Sequence, residues 1–235
     1  MIADHYDVVI IGGGPVGMAL SLALRQTNIS SILLEARSIP QKDDDPRPLA
    51  LSYGTQLILD KLGVWRNLTQ ITPIKTIHIS NRGGFGETVL TSGDADVPAL
   101  GFVVNFHDLF CAMHQLLLEN NSVYLTGATV NQLETTKNQG KVFFTHQNAE
   151  QTINAKLIVI ADGGHLAKQI PDFTYTIHDY HQWAVVANIQ ATQKQTGVAY
   201  ERFTSDGPVA MLPNGENFAL VWTVSPQAVK EIMAL

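Results

Sequence analysis

Apolar runs and helical periodicities alternate along the chain in a readable order. Asp7-Val-Val-Ile-Ile11 is short, continuous and rich in β-branched residues, the pattern of a strand buried on both faces. Glycines 12–14 end it. Pro15–Arg25, rich in Ala, Leu and Met, predicts a helix with Pro15 in its first turn, where the missing N–H is not needed. Ser31–Leu34 predicts a second buried strand, ended by Glu35, and Pro40–Pro48 a polar loop bounded by prolines. Gly54–Leu62 predicts a helix stopped by Gly63, and Thr76–Ser80 and Glu87–Thr91 predict strands around the loop Asn81–Gly86. Asn105–Asn120 predicts a helix whose apolar face carries Leu109, Phe110, Met113, Leu116 and Leu117. Val123–Thr126, Thr129–Thr135, Lys141–Thr145 and Ala149–Asn154 read as short strands, and the wholly apolar Leu157–Ile160 is expected beside the first strand. After Pro171 the pattern changes. Tyr180–Ala191, Gly197–Thr204, Val209–Leu212 and Asn217–Val224 read as successive antiparallel strands, so a second, sheet-rich region is expected from Phe173 onward.

Composition supports a folded chain and narrows its partners. Of 235 residues, 45% are hydrophobic and 15% charged, enough to bury a sizeable core. A net charge of −6 gives no basic footprint for nucleic acid. The single cysteine, Cys111, excludes an internal disulfide and fits a reducing cytosol. The first apolar run has no basic region before it and is broken by glycines, so it is expected as a strand and not a signal peptide. No run of about eighteen apolar residues predicts a membrane-spanning helix.

The chemistry lies in spacing. Gly12-Gly13-Gly14-Pro15-Val16-Gly17 matches G-x-G-x-x-G, follows a predicted strand, opens a predicted helix, and has an acid, Glu35, at the end of the next strand. Gly12 permits the tight turn, Gly14 lets backbone approach a pyrophosphate, and Gly17 lets helix and strand pack closely. The helix N-terminus offers unpaired N–H groups to phosphates. Glu35 would accept hydrogen bonds from ribose hydroxyls and disfavour a 2′-phosphate, so the site suits FAD or NAD over NADP. Asp162-Gly163, ending the Leu157–Ile160 run, reads on composition alone as a strand-ending turn. Arg47 reads either as a solvated surface cation or as a bidentate phosphate partner. His107, Cys111 and His114 share one helix face, but no fourth ligand stands nearby, and helix packing accounts for them better than a metal. No G-x-S-x-G nucleophile elbow occurs.

With these pieces placed, the chain resembles the aromatic-ring flavin monooxygenases, and most closely the ubiquinone-biosynthesis hydroxylases of the 2-octaprenyl-6-methoxyphenol hydroxylase type. The marks run over essentially the whole chain: the Gly12–Gly17 fingerprint, Glu35, Pro46-Arg47-Pro48-Leu49-Ala50-Leu51, Leu62-Gly63-Val64-Trp65, His78–Gly83, Asp162-Gly163, and Phe203-Thr204-x-x-Gly207-Pro208-x-Ala210-x-Leu212-Pro213. The resemblance implies an α/β fold, with an FAD-binding Rossmann-like domain of the glutathione-reductase and p-hydroxybenzoate-hydroxylase type over residues 1–172. A β insertion would span residues 74–104, and residues 173–235 would form an incomplete antiparallel β substrate domain. It implies FAD contacts from Gly12, Gly14, Pro15, Val16, Gly17, Glu35, Ala36, Arg37, Arg47, Val130, Asp162 and Gly163, and it names no catalytic residue and no metal. Phe203–Pro213 would belong to the substrate side.

The same resemblance implies NAD(P)H as electron donor, O2 as oxidant and a polyprenylated phenol as substrate. The apolar tail would favour a cytoplasmic protein peripheral to the inner membrane or held in a ubiquinone-biosynthesis complex. Two departures stand out. Where the family's Asp-Gly segment continues with Ser and then Arg, this chain has Leu166 and Gln169, which bears on NAD(P)H more than on FAD. The family's later Gly-Asp-Ala-Ala-His motif is absent, so the chain is expected to be an N-terminal portion. Two other readings compete: a flavin-binding or interaction fragment without catalysis, and an NAD-dependent dehydrogenase, for which no Tyr-x-x-x-Lys or metal set is found.

Overall fold

A computed structural model describes residues 2–38, 47–119, 122–170, 173–174, 176–192 and 196–234. The expected loop Pro40–Pro48 lies outside the described residues up to Pro46, as does Asn120 at the expected end of the long helix. In chain order the elements are β1 (His5–Ile11), α1 (Pro15–Leu24), β2 (Ser31–Glu35), β3 (Pro48–Ser52), α2 (Tyr53–Lys61), β4 (Ile71–Ile74), β5 (Thr76–Asn81), β6 (Glu87–Thr91), β7 (Gly101–Asn105) and α3 (Phe106–Glu119). There follow β8 (Val123–Thr126), β9 (Ala128–Thr135), β10 (Gly140–His146), β11 (Ala149–Ile160), β12 (Trp183–Ile189), β13 (Val198–Thr204), β14 (Gly207–Asn214), β15 (Asn217–Val224) and α4 (Pro226–Ile232). Short 3-10 turns occupy Trp65–Asn67 and Leu166–Gln169. Two compact units result, one of Met1–Asp44, Leu62–Val64 and Leu109–Thr176, the other of Asp45–Lys61, Trp65–Asp108 and Ile177–Leu235.

The first unit is built on a sheet of order β8-β2-β1-β11-β10-β9. β8, β2, β1 and the end of β11 run parallel, while β9 and β10 extend the sheet antiparallel. Val9, Ile11, Ile32 and Leu34 face a core completed by Val142, Phe144, Ile153 and Ala155. Ile10, Leu33, Met18 and Leu22 are also fully buried, which is why Val8–Ile11 of β1 and Ile32–Leu34 of β2 read as continuous apolar runs. The segments Ala149–Asn154 and Leu157–Ile160, expected as two strands, form one strand of 12 residues. Its first half pairs with β10 and its second with β1, from His5↔Asn154 to Ile11↔Ile160. The polar residues that suggested a break are satisfied sideways: Asn154 donates its N–H to the Asp4 carbonyl at 3.0 Å, and Lys156 meets Asp7 at 2.7 Å.

The second unit contains a sheet of order β12-β15-β14-β13-β5-β6 and a three-stranded sheet β3-β7-β4. The expected succession of antiparallel strands holds for β13, β14 and β15, but β12 pairs with β15 and not with its sequence neighbour. Tight turns at Ser205-Asp206 and at Gly215 (φ +61°) zip β13, β14 and β15 together and leave the far edge of β15 for β12. The segment expected as an insertion supplies β5 and β6 to this same sheet, with β5 parallel to β13. Strands β3, β4 and β7 carry no alternation long enough to read. Pro73 sits inside β4, which is tolerated because β4 is an edge strand. Helix α4, outside the elements expected from the sequence, has a local start signal: Ser225 caps it, accepting the Ala228 N–H at 3.3 Å, and Pro226 follows at the first helical position. Among the described residues, no helix is long and apolar enough to cross a membrane.

Candidate functional site

The turn from β1 into α1 has little freedom. Gly12 adopts φ +107°, and a Cβ there would run into the Ala161 carbonyl and lie 2.7 Å from the Asp162 nitrogen. A Cβ on Gly17 would strike the Gly12 oxygen. These two glycines let the loop fold back on itself, with α1 tight against β2 and β11 beside β1. Gly14 differs: nothing lies within 4 Å of where its Cβ would be. Space is open over the start of α1, and Gly14, the N-cap, contributes no side-chain hydrogen bond. No acidic side chain stands in the first turn to compete for the N–H groups there.

Glu35, at the end of β2, closes the other side. Its Oε2 accepts the Gly13 N–H at 2.6 Å, and its Oε1 accepts the Arg37 N–H and the Arg37 Nε, both at 2.9 Å. Gly13, which the motif leaves as an unspecified position, is therefore constrained by this contact: a Cβ there would lie 2.8 Å from the Glu35 Cβ. Burial pushes the Glu35 carboxyl up. Hydrogen bonds from the Arg37 side chain, the Arg37 N–H and the Gly13 N–H, with the charge of Arg37, outweigh it and hold the pKa below the ordinary value. A carboxylate has about four acceptor positions. Among the described residues three are filled, which leaves one for an incoming hydroxyl.

The other expected residues are placed as follows. Asp162 turns inward on its own segment: Oδ1 accepts the Gly164 N–H at 2.8 Å and Oδ2 the Leu166 N–H at 2.7 Å. Its backbone lies against Gly12, and Gly163 takes φ +76°. Pro15 and Val16 form the first turn of α1, with Val16 73% exposed. Ala36 and Arg37 are exposed just beyond β2, and the Arg37 carbonyl accepts the Gly127 N–H at 3.1 Å, tying that turn to the start of β9. Val130 lies on β9, packed on the core and paired with Phe144. Arg47 belongs to the second unit, where its guanidinium stands 5.5 Å from the centre of the Phe106 ring and its carbonyl accepts the Phe106 N–H at 2.9 Å. Tyr124 on β8 was not anticipated. Burial, reinforced by the negative charge of Glu35 and opposed by Arg37, pushes its hydroxyl up to about 12. His114 packs between Phe110 and Tyr124 at ring distances of 6.1 and 5.4 Å.

The first unit thus gathers an uncapped helix start, an open approach over Gly14 and a buried acid with one acceptor position free. That set fits a pyrophosphate and an adjacent ribose. A model of the FAD binding domain matches residues 5–231. The chain belongs to the FAD binding domain family. Among its relatives, an uncharacterised Synechocystis protein is 29% identical over 94% of this chain and 54% of its own. The ubiquinone hydroxylase UbiL of Rhodospirillum rubrum is 28% identical over 97% of this chain and 54% of its own. The 3-demethoxyubiquinol 3-hydroxylase of Escherichia coli is 26% identical over 96% of this chain and 59% of its own. The chain therefore spans a little over half the length of these relatives. The p-nitrophenol 4-monooxygenase PnpA of Pseudomonas putida shares the fold, with a TM-score of 0.79 at 14% identity, covering 98% of this chain and 62% of that one.

Proposed function

We propose that the chain binds FAD and serves in the hydroxylation of a polyprenylated phenol in ubiquinone biosynthesis, with NAD(P)H as electron donor and O2 as oxidant. The observation that carries the reading is the loop itself: Glu35 buried against Gly13, beside an uncapped helix start with open space over Gly14. The names of the hydroxylase relatives support the reaction class.

In this reading the first-turn N–H groups of α1 hold the pyrophosphate, and the open side of Gly14 admits it without a side chain in the way. Glu35 gives its remaining acceptor position to an adenosine ribose hydroxyl, which disfavours a 2′-phosphate by charge. Arg37 holds Glu35 ionised, Asp162 fixes the turn that backs Gly12, and Val130 lies on the strand whose entry is tied to the Arg37 carbonyl. Arg47 is assigned a phosphate contact on the family resemblance. Bound FAD would supply the redox chemistry, taking electrons from NAD(P)H and passing them to O2. The apolar tail of such a substrate favours work at a membrane edge.

The test is a visible absorbance spectrum of the purified chain after FAD is added and the excess removed. A bound-flavin spectrum is expected. Absence of bound flavin at saturating FAD would overturn the reading. Bound flavin without phenol-stimulated NAD(P)H oxidation would leave a flavin-binding module and remove the hydroxylase half.

A further inference from the structure

Among the described residues the three sheets present six edges, and five of them carry a feature that blocks further strand pairing. β8 has four residues, β4 has four with Pro73 among them, and β3 opens on Pro48. β9 carries Glu134 and a register shift against β10. β6 carries Glu87, which meets His78 at 2.9 Å.

β12 has none of these. It is 7 residues long, Trp183-Ala-Val-Val-Ala-Asn-Ile189, with no proline, glycine or charged side chain. Its pairing with β15 runs without a shift from Trp183↔Val224 to Ile189↔Phe218. Among the described residues no strand lies along its outer side, so alternate N–H and C=O groups there face solvent. Trp183 is 61% exposed on one face of the strand and Val186 43% exposed on the other. Helix α4 touches β12 but buries no residue of its own, and both side chains stay open beside it.

We infer that β12 is the interface of a two-fold dimer, in which it pairs antiparallel with β12 of a second copy and joins the two sheets into one. A centre at Val186 keeps every residue of the strand paired. Val186 then stands opposite Val186, Val185 opposite Ala187, Ala184 opposite Asn188 and Trp183 opposite Ile189. The last pair sets an aromatic ring against a β-branched side chain, a favourable cross-strand match that symmetry makes twice. Charge selects the occupant. The chain carries −6, yet this edge carries none, so two copies meet here without opposing like charges. A strand bearing Lys or Glu would find no opposite charge on β12. Seven residues a side is well under the roughly 20–30 of a standard interface, so the dimer is reversible and forms with rising concentration.

The test is sedimentation velocity on the purified chain over a dilution series, where wild type is expected to pass from monomer to dimer. Position 186 meets itself across the two-fold axis, so one substitution opposes two like charges. Val186→Lys and Val186→Glu should each weaken self-association about tenfold or more. An equimolar mixture of the two should recover the dimer as a mixed pair. Val186 is exposed, so neither change touches the core, and circular dichroism melts separate loss of the dimer from loss of the fold. In wild type, which needs no variant to fold, amide exchange within Trp183–Ile189 should slow as concentration rises, while exchange on β6, at the other edge of the same sheet, stays constant. A wild type still monomeric at millimolar concentration would overturn the assignment. So would exchange at β12 that ignores concentration, a dimer that survives either single substitution, or a mixture of the two variants that stays monomeric.

Discussion

Gly13 donates its N–H to Glu35 Oε2 at 2.6 Å, and this one bond joins the β1–α1 loop to the acid at the end of β2. The pair couples local stability to ligand binding. Replacing Glu35 by Ala leaves a buried N–H without its acceptor and should cost about 1–3 kcal/mol in denaturant unfolding. The same variant should lose bound flavin in the absorbance assay. Full FAD occupancy in Glu35→Ala would separate the two roles.

The three glycines of the fingerprint should respond differently. Gly12→Ala and Gly17→Ala force a methyl into the Ala161 and Gly12 carbonyls respectively, so each should lower stability by about 1–3 kcal/mol. Gly14→Ala meets nothing. Its melting temperature should stay near that of the parent while FAD affinity falls, since the methyl would occupy the side proposed to admit the pyrophosphate. Thermal melts paired with flavin titrations would show this division or its absence.

Acid should weaken the first unit. Asp7 accepts from Lys156 at 2.7 Å and from the Ser30 hydroxyl and N–H at 2.7 and 2.8 Å, and these contacts hold its carboxyl well below the usual range. Glu35 is lowered as well. For both groups the folded pKa lies below the unfolded one, about 3.9 for Asp and about 4.3 for Glu. Their stabilisation is therefore complete above those values and lost as pH falls through the folded pKa. Unfolding midpoints measured from pH 6 downward should drop below about pH 4, and Asp7→Asn should flatten the slope.

Tyr124 should report on Glu35 optically. Its hydroxyl, pushed up to about 12, should ionise above the ordinary tyrosine range in an ultraviolet pH titration. Glu35→Gln removes the nearby negative charge and should bring that ionisation down. Tyr124→Phe should remove the step and change stability by less than about 1 kcal/mol, because the buried hydroxyl has no hydrogen-bond partner among the described residues.

The βαβ unit was legible in the sequence because its signals are local. A run buried on both faces, three glycines, a proline at a helix start and an acid one strand later are set by backbone sterics and by burial of contiguous residues. The apolar face of α3 followed from periodicity alone. Tertiary structure decided what depends on residues far apart in the chain. β12 pairs with β15, β5 joins β13, and Ala149–Ile160 is one strand, because strand partners are chosen by turn geometry and shared burial that a linear pattern does not encode. The constraint on Gly13 exists only once Glu35 is folded against it. Glu201 looks like any surface acid in the sequence. Its cross-strand neighbours Ile79 and Ala210 are brought beside it from β5 and β14 only by the folded sheet.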